Sequence, residues 1–468
     1  MTIVIEGGTV VSAVGRFKGD VRIEGGRIAA VGLGVKSPGD TVLDASGCFV
    51  LPGAIDPHTH IEMPSGGGFN ADTWYSGTVA AAFGGTTTVI DMITPERGRP
   101  LAEALGDWQA RARPGAMVDY GFHMSLIEAR PETLAEIPAM VRAGVPSFKL
   151  YLAYKALMLS DAEAFAAMRA IGRAGGLALI HSENGEVIDL LVAEAVARGE
   201  TAPKYHAATR PAAAEAEATA RACRLAELAE ARLYVVHISC REALAEVLQA
   251  RSRGLKVDAE TCTQYLVFTA ADLDQPDFAG STLICSPPVR TDADRDALWK
   301  ALAARQVDVV ASDHCPWTQA QRERGRDRLD RIPGGLPGLE ERIPFLYTYG
   351  VEEGAISLEE LVALTATNPA RIFGLHPAKG SIAPGADADV VVWDPMQTRI
   401  WSAATHHTLA DQTPYENLPV HGAARHVLVR GRPVVQNEAL AGEAGYGKFL
   451  PRSGGPSSAP QLSKRRIG

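Results

Sequence analysis

The chain has 468 residues, which at ~150 residues per domain amounts to about three domains' worth of polypeptide, or one large barrel with a smaller module. Hydrophobic residues make up 46% and charged residues 22%, with 46 glycines and 29 prolines; this excludes a disordered or fibrous protein and suits a turn-rich enzyme fold. A net charge of -9 is too acidic for a protein that works by neutralising phosphates, so nucleic acid is excluded as the expected partner.

The first 52 residues read as short strands broken by glycine pairs, in TIVIEGGTVV, DVRIEGGRIAAVG and TVLDASGCFVLPG. The same texture returns near the far end in GADADVVVWDP and RHVLVRGRPVVQ, so the two pieces are expected to pair as one β module. Between them, β-branched runs alternate with Ala-, Leu-, Glu- and Arg-rich segments of helical period, the pattern of repeated βα units. The runs fall at residues 53–58, 86–92, 117–123, 146–150, 177–181, 233–237, 256–261 and 307–313. Eight strands with intervening helices predict an α/β fold, a (β/α)8 TIM-type barrel whose catalytic residues stand at the C-terminal strand ends. The boundaries expected are a β-sandwich part over 1–52, a barrel hydrolase domain over 53–378, the second sandwich part over 379–445, and a Pro-, Ser- and Gly-rich tail over 446–468. The N-terminus carries no basic n-region with an apolar core, the uncharged stretch over 73–90 is too rich in Gly and Thr to span a membrane, and the six cysteines show no paired short spacing. A cytoplasmic protein with reduced thiols and no membrane partner is expected.

Five of the eight strands end in a residue able to hold a metal. His58 and His60 in DPHTH sit at i and i+2, on one face of a strand, and can aim two imidazoles at one point. His181, His237 and Asp313 each close a further strand. Any one of these alone reads most simply as a satisfied buried residue; together, converging on a barrel mouth, they suit zinc or a similar divalent ion. Lys149, in SFKLYLAY, is placed among apolar neighbours that disfavour its charged form. A neutral amine can react with carbon dioxide, and the carbamate offers two anionic oxygens for bridging two metals. The competing reading of Lys149 is a side chain that snorkels out of the mouth. His123, at the third strand end, reads as structural.

With these residues in view, the sequence resembles the dihydropyrimidinase and D-hydantoinase group of cyclic amidohydrolases, in the amidohydrolase superfamily, over residues 5–440. The motifs that carry the resemblance are PGAIDPHTHIEMP, GGTTTVIDM, FKLYLAYK, HSEN, TRPAAAEAEATARA, VVHIS, ETCTQYL, CSPPVR and SDHCP. The resemblance implies a barrel beside a β-sandwich built from both chain ends, with two divalent ions, zinc by default, bridged by N6-carboxylysine at Lys149. It makes His58, His60 and Asp313 ligands of one metal and His181 and His237 ligands of the other. It assigns Tyr154 the hydrogen bond to a developing oxyanion and Ser286 a backbone contact to the substrate ring. The implied reaction opens a cyclic ureide or imide, with Asp313 as general base and then acid. The implied assembly is a homotetramer.

Position 62 is Glu, where dihydroorotases carry an arginine that clamps the substrate's carboxylate; this favours a neutral ring, a dihydropyrimidine or a 5-substituted hydantoin. An allantoinase-like activity is weakened by the intact EMP, LAYK and CSPPVR segments, and a non-catalytic scaffold relative by the retention of every ligand. The resemblance also brings Met63, Ser65, Leu152, Gly334 and Gly335 into the substrate's surroundings, and several of these depart from the pattern. Gly334 and Gly335 replace a segment that usually offers an asparagine, Ser65 replaces a bulkier lid residue, and Tyr151 and Leu152 replace the commoner Phe and Met. A roomier pocket tolerant of a bulky ring substituent is the expectation.

Overall fold

The computed structural model describes residues 2–65 and 68–453. Eight strands form one all-parallel sheet in chain order: β1 (Ala54–Thr59), β2 (Thr86–Ile93), β3 (Asp119–Ser125), β4 (Ser147–Tyr151), β5 (Leu177–His181), β6 (Leu233–Val235), β7 (Val257–Cys262) and β8 (Val309–Ala311). They coincide with the eight runs read from the sequence. Apart from Asp258 every residue of these strands is buried, as expected for strands covered by helices outside and by barrel-filling side chains inside. The first and last strands are drawn together by the Thr59–His314 bridge and by Arg342, whose Nη1 donates to the carbonyls of Ile55 at 3.0 Å and Val310 at 3.1 Å.

The helices between strands begin where sequence chemistry stops the backbone from extending. Ser160 and Glu163 form a capping box at the start of Asp161–Arg173, as do Thr291 and Asp294 at Asp292–Ala303. In the first of these helices Ala164, Ala167, Met168 and Ile171 are buried, a spacing that presents one face to the barrel.

A second sheet of nine strands draws on both chain ends. Its path runs from the strand at Ala439–Leu440 through Arg432–Gln436, Pro419–Val429 and Val390–Ile400 to Phe49–Pro52, Thr2–Ser12, Gly15–Glu24 and Arg27–Gly32, with Thr41–Asp44 paired to Thr2–Ser12 off this path. The far edge curls back: Arg27 bridges Asp387, and Ile28 N–H donates to the Ala386 carbonyl at 2.9 Å. Ile3, Ile5, Val21, Ile23, Val390 and Leu428 share the core that this curl encloses. The α/β fold, a TIM-type barrel beside a sheet module from both termini, is therefore the one read from the sequence.

Sheet and barrel are joined by a buried cation. Lys379 Nζ donates to Asp119 at 2.8 Å, at the N-terminal end of β3, and to Asp389 at 2.5 Å, in the segment entering the strand at Val390–Ile400. The expected tail begins as packed chain. Tyr120 N–H donates to the Lys448 carbonyl at 2.9 Å, Leu450 N–H to the Tyr120 carbonyl at 2.7 Å, and buried Arg452 reaches the Phe122 carbonyl and Ser147 Oγ beneath the barrel. The rest of that stretch, 454–468, lies outside the described residues. All six cysteines are buried and unpaired, and among the described residues no helix is long and apolar enough to cross a membrane.

Candidate active site

The mouth of the barrel gathers the residues singled out from strand ends. His58 is on β1 and His60 just past it; Lys149 is on β4 and His181 ends β5. His237 and Asp313 lie two residues beyond β6 and β8, each in left-handed backbone, with φ of 40° and 51°. Such backbone costs of order 1–3 kcal/mol and turns each side chain back over the mouth instead of leaving it in the plane of its strand.

His58, His60 and Asp313 offer ligand atoms within 4.8 Å of one another. Asp313 Oδ1 stands 3.2 Å from His58 Nε2 and 3.3 Å from His60 Nε2. A second pair faces it: His181 Nδ1 is 2.9 Å from His237 Nε2, and the ring centroids of His58 and His237 are 5.4 Å apart. Lys149 lies between strands β3 and β5 with Nζ 3.5 Å from His58 Nε2.

Two carboxylates that sequence reasoning did not single out fix the tautomers. His58 Nδ1 donates to Glu260 Oε1 at 2.7 Å, and His181 Nε2 donates to Glu183 Oε2 at 2.8 Å. On these two rings the protons sit on the outer nitrogens, so His58 Nε2 presents a lone pair toward Asp313 and His181 Nδ1 one toward His237. A lone pair facing a carboxylate oxygen at 3.2 Å is repelled unless a cation or a proton lies between them, and a donor set of imidazole nitrogens and a carboxylate oxygen fits a divalent ion of the zinc type. The protonation states agree. Burial pushes the His58 and His237 imidazoles well below their ordinary pKa and lowers that of His181. Burial also brings the Lys149 amine down to about 8. Asp313 is buried too, yet His58, His60 and Lys149 hold its carboxyl at about 2.

Around this cluster, Tyr154 adopts φ of 68° and packs its ring 4.8 Å from that of His181. The Arg210 guanidinium lies 5.6 Å from the centroid of the same ring and donates to Glu183 Oε2 at 2.8 Å. Burial raises the Tyr154 hydroxyl above its ordinary pKa, which keeps it protonated. Ser286 Oγ is 3.3 Å from His206 Nε2, and a Cβ added to Gly334 would lie 4.0 Å from that hydroxyl. Gly335, at φ of 123°, presses so closely on Cys315 that an added Cβ would meet Cys315 Cβ at 2.5 Å. His123, satisfied by the Pro57 carbonyl at 2.9 Å and Ser147 at 2.7 Å, is enclosed in the barrel.

The lid residues are spread more widely. Met63 is tied by its N–H to Asn70 at 2.9 Å, and Ser65 is exposed on the hairpin Pro64–Ser65/Gly68–Phe69. Leu152 packs into the barrel core while its N–H donates to the His181 carbonyl at 3.0 Å. Glu62 does not stand free: its Oε2 accepts from Trp74 N–H at 3.3 Å, at the start of helix Trp74–Phe83. Behind the hairpin lies a cavity of about 430 Å³ lined by Pro64, Phe69, Thr94, Arg99, Trp108 and Arg111. It borders the mouth through Thr94, which is 3.4 Å from Ser125; Ser125 in turn is 3.2 Å from the Tyr151 hydroxyl.

This geometry has counterparts among known proteins. The chain is 45% identical over 458 residues to the D-hydantoinase of Streptomyces coelicolor, covering 96% of this chain and 98% of that one. It is 43% identical over 456 residues to the D-hydantoinase of Geobacillus stearothermophilus, 97% of each chain being covered. The crystal structure of dihydropyrimidinase from Brevibacillus agri superposes with a TM-score of 0.96 at 43% identity, over 98% of this chain and 100% of that one. Residues 49–434, which include the whole barrel, match the model of the Amidohydrolase family, and the chain belongs to that family.

Proposed function

We propose that this protein hydrolyses the cyclic amide bond of a dihydropyrimidine or 5-substituted hydantoin, opening the ring to an N-carbamoyl amino acid. The observation that carries the reading is the convergence of four imidazoles and the Asp313 carboxylate at the barrel mouth, in a chain more than 40% identical to D-hydantoinases over nearly its whole length. His58, His60 and Asp313 would hold one divalent ion, His181 and His237 the other, with Lys149 between them as N6-carboxylysine. Zinc suits the nitrogen-rich donor set. The carbamate forms when the neutral Lys149 amine attacks carbon dioxide and releases a proton; burial favours the neutral amine.

Bound divalent ions would lower the pKa of water and so supply a nucleophile near neutral pH. The chain's own residues do the rest. Asp313, ionised at neutral pH, accepts the proton of the attacking water and returns it to the ring nitrogen as the C–N bond breaks. Tyr154, held protonated, donates a hydrogen bond to the oxyanion that develops on the carbonyl oxygen, and the Arg210 guanidinium keeps its ring in place. The Ser286 backbone anchors the far edge of the ring, and the cavity behind the lid hairpin gives a bulky ring substituent somewhere to go. The partner is then a neutral small-molecule cyclic ureide or imide, and the assembly a cytoplasmic homotetramer; a light-scattering mass of four chains supports that assembly, and the mass of one chain rules it out.

Ring opening measured on zinc- and bicarbonate-supplemented enzyme should favour a 5-aryl hydantoin over dihydrouracil. A clear preference for dihydrouracil reverses the pocket argument, and failure to open either ring removes the reading. Asp313→Asn should leave the fold intact by circular dichroism and lower kcat by about 10²–10⁴-fold; an unchanged rate takes Asp313 out of the proton transfer. Lys149→Ala should bind fewer than two zinc ions per chain, and a small carboxylic acid added during loading should restore the full two. Two zinc ions retained without the acid would refute the bridge.

A further inference from the structure

The candidate ligand set does not by itself account for a carboxylate buried beneath it. Glu260, on β7, is fully buried, and three donors converge on it. Its Oε1 accepts from His58 Nδ1 at 2.7 Å and from the backbone N–H of His237 at 3.0 Å, while Oε2 accepts from the Tyr234 hydroxyl at 2.8 Å. One oxygen atom thus holds a residue from each half of the cluster. His58 stands with His60 and Asp313, and His237 stands with His181.

Glu183 makes a useful contrast. It also backs an imidazole, but its other partner is Arg210, so its reach ends at one half of the cluster. Both contacts of Glu260 Oε1 bear on metal geometry. The bond to His58 Nδ1 fixes the ring and leaves Nε2 to face the centre. The bond to His237 N–H clamps the left-handed residue (φ 40°) whose backbone decides where that imidazole points. The Tyr234 hydroxyl holds the carboxylate from behind, so that it cannot swing toward either histidine alone.

We propose that Glu260 is a positioning residue that sets the spacing of the two metal positions, tying one ligand of each to a single carboxylate oxygen so that its loss weakens both positions at once. This rests on the binuclear reading above. A backing carboxylate lost from a metal-bound histidine typically costs about 10–100-fold in metal affinity. Here the loss falls on both positions, whereas loss of Glu183 falls on the His181 side.

The test is a chelator titration of zinc- and bicarbonate-loaded enzyme, with bound zinc per chain read by plasma mass spectrometry and the fold followed by circular dichroism. Wild type should hold two zinc ions to high chelator. Glu260→Ala should lose both in parallel at about 10–100-fold less chelator. Glu183→Gln should lose one ahead of the other. Glu260→Gln keeps an acceptor oxygen for His58 and His237 without the charge, and should also lose both together, at about 10-fold less chelator; it decides the matter should Glu260→Ala fail to fold. Two zinc ions retained by Glu260→Gln as in wild type, or stepwise loss from Glu260→Ala, would overturn the proposal while leaving the binuclear reading intact. Fewer than two zinc ions in wild type would remove that reading, and this proposal with it.

Discussion

Buried imidazoles whose outer nitrogens are already committed have only inward lone pairs left, and that constraint organises the barrel mouth. Glu260 accepts a hydrogen bond from His58 and Glu183 one from His181, so the inner nitrogens of these two rings present lone pairs and have no hydrogen to offer. Burial denies them protonation as well. A group of neutral nitrogens, an ionised Asp313 and a poorly solvated amine is unfavourable as an assembly unless cations enter it.

The backbone shows where strain is accepted for that purpose. Four residues at the mouth, Glu62, Tyr154, His237 and Asp313, are non-glycine residues in left-handed conformation, and three of them carry candidate chemistry. Each follows a barrel strand, and each turn redirects a side chain that an extended strand would have sent elsewhere. Hydrogen bonds fixed by the fold hold three of these turns: Glu260 clamps His237 N–H, Trp74 N–H holds the Glu62 carboxylate, and His60 N–H donates to the carbonyl of His314, the residue after Asp313. The barrel thus carries left-handed backbone in its loops, while none of the eight strands beneath contains a left-handed residue.

Strands and their ends were legible because a buried parallel strand must be a short apolar run and a barrel must put its working residues where those runs stop. DPHTH announced two imidazoles on one face, and the apolar setting of Lys149 announced a depressed amine. The buttressing was not legible. Glu260 and Glu183 lie inside ETCTQYL and HSEN, but an acidic residue in a strand or after a histidine has many uses, and nothing in the chain says that position 260 touches position 58, which is 202 residues away. The seventh strand, read as ending without a ligand, carries the residue that holds two of the candidates. Arg210 was hidden in the same way, in a motif recognised for its helix and not for the guanidinium that packs against Tyr154.

Glu62 shows how packing changes a functional argument without reversing it. Read from the sequence, it disfavours an acidic substrate by repulsion; in the structure its carboxylate accepts from the N–H of Trp74 at a helix start, and its carbonyl accepts from Arg111 at 3.0 Å. A carboxylate occupied in this way repels a distant anion weakly, since the helix N-terminus carries opposing partial charge. What still disfavours a carboxylated ring is that position 62 carries no cation, so an anionic substrate would have to shed its water at this position without the guanidinium clamp that dihydroorotases supply there. A neutral ring faces no such cost, and its recognition would rest on shape: the Ser286 side, where Gly334 leaves room instead of an amide, and the cavity by the lid hairpin. Selectivity built on space instead of charge tolerates a range of substituents, because a missing or added methylene changes such binding by only ~1–3 kcal/mol.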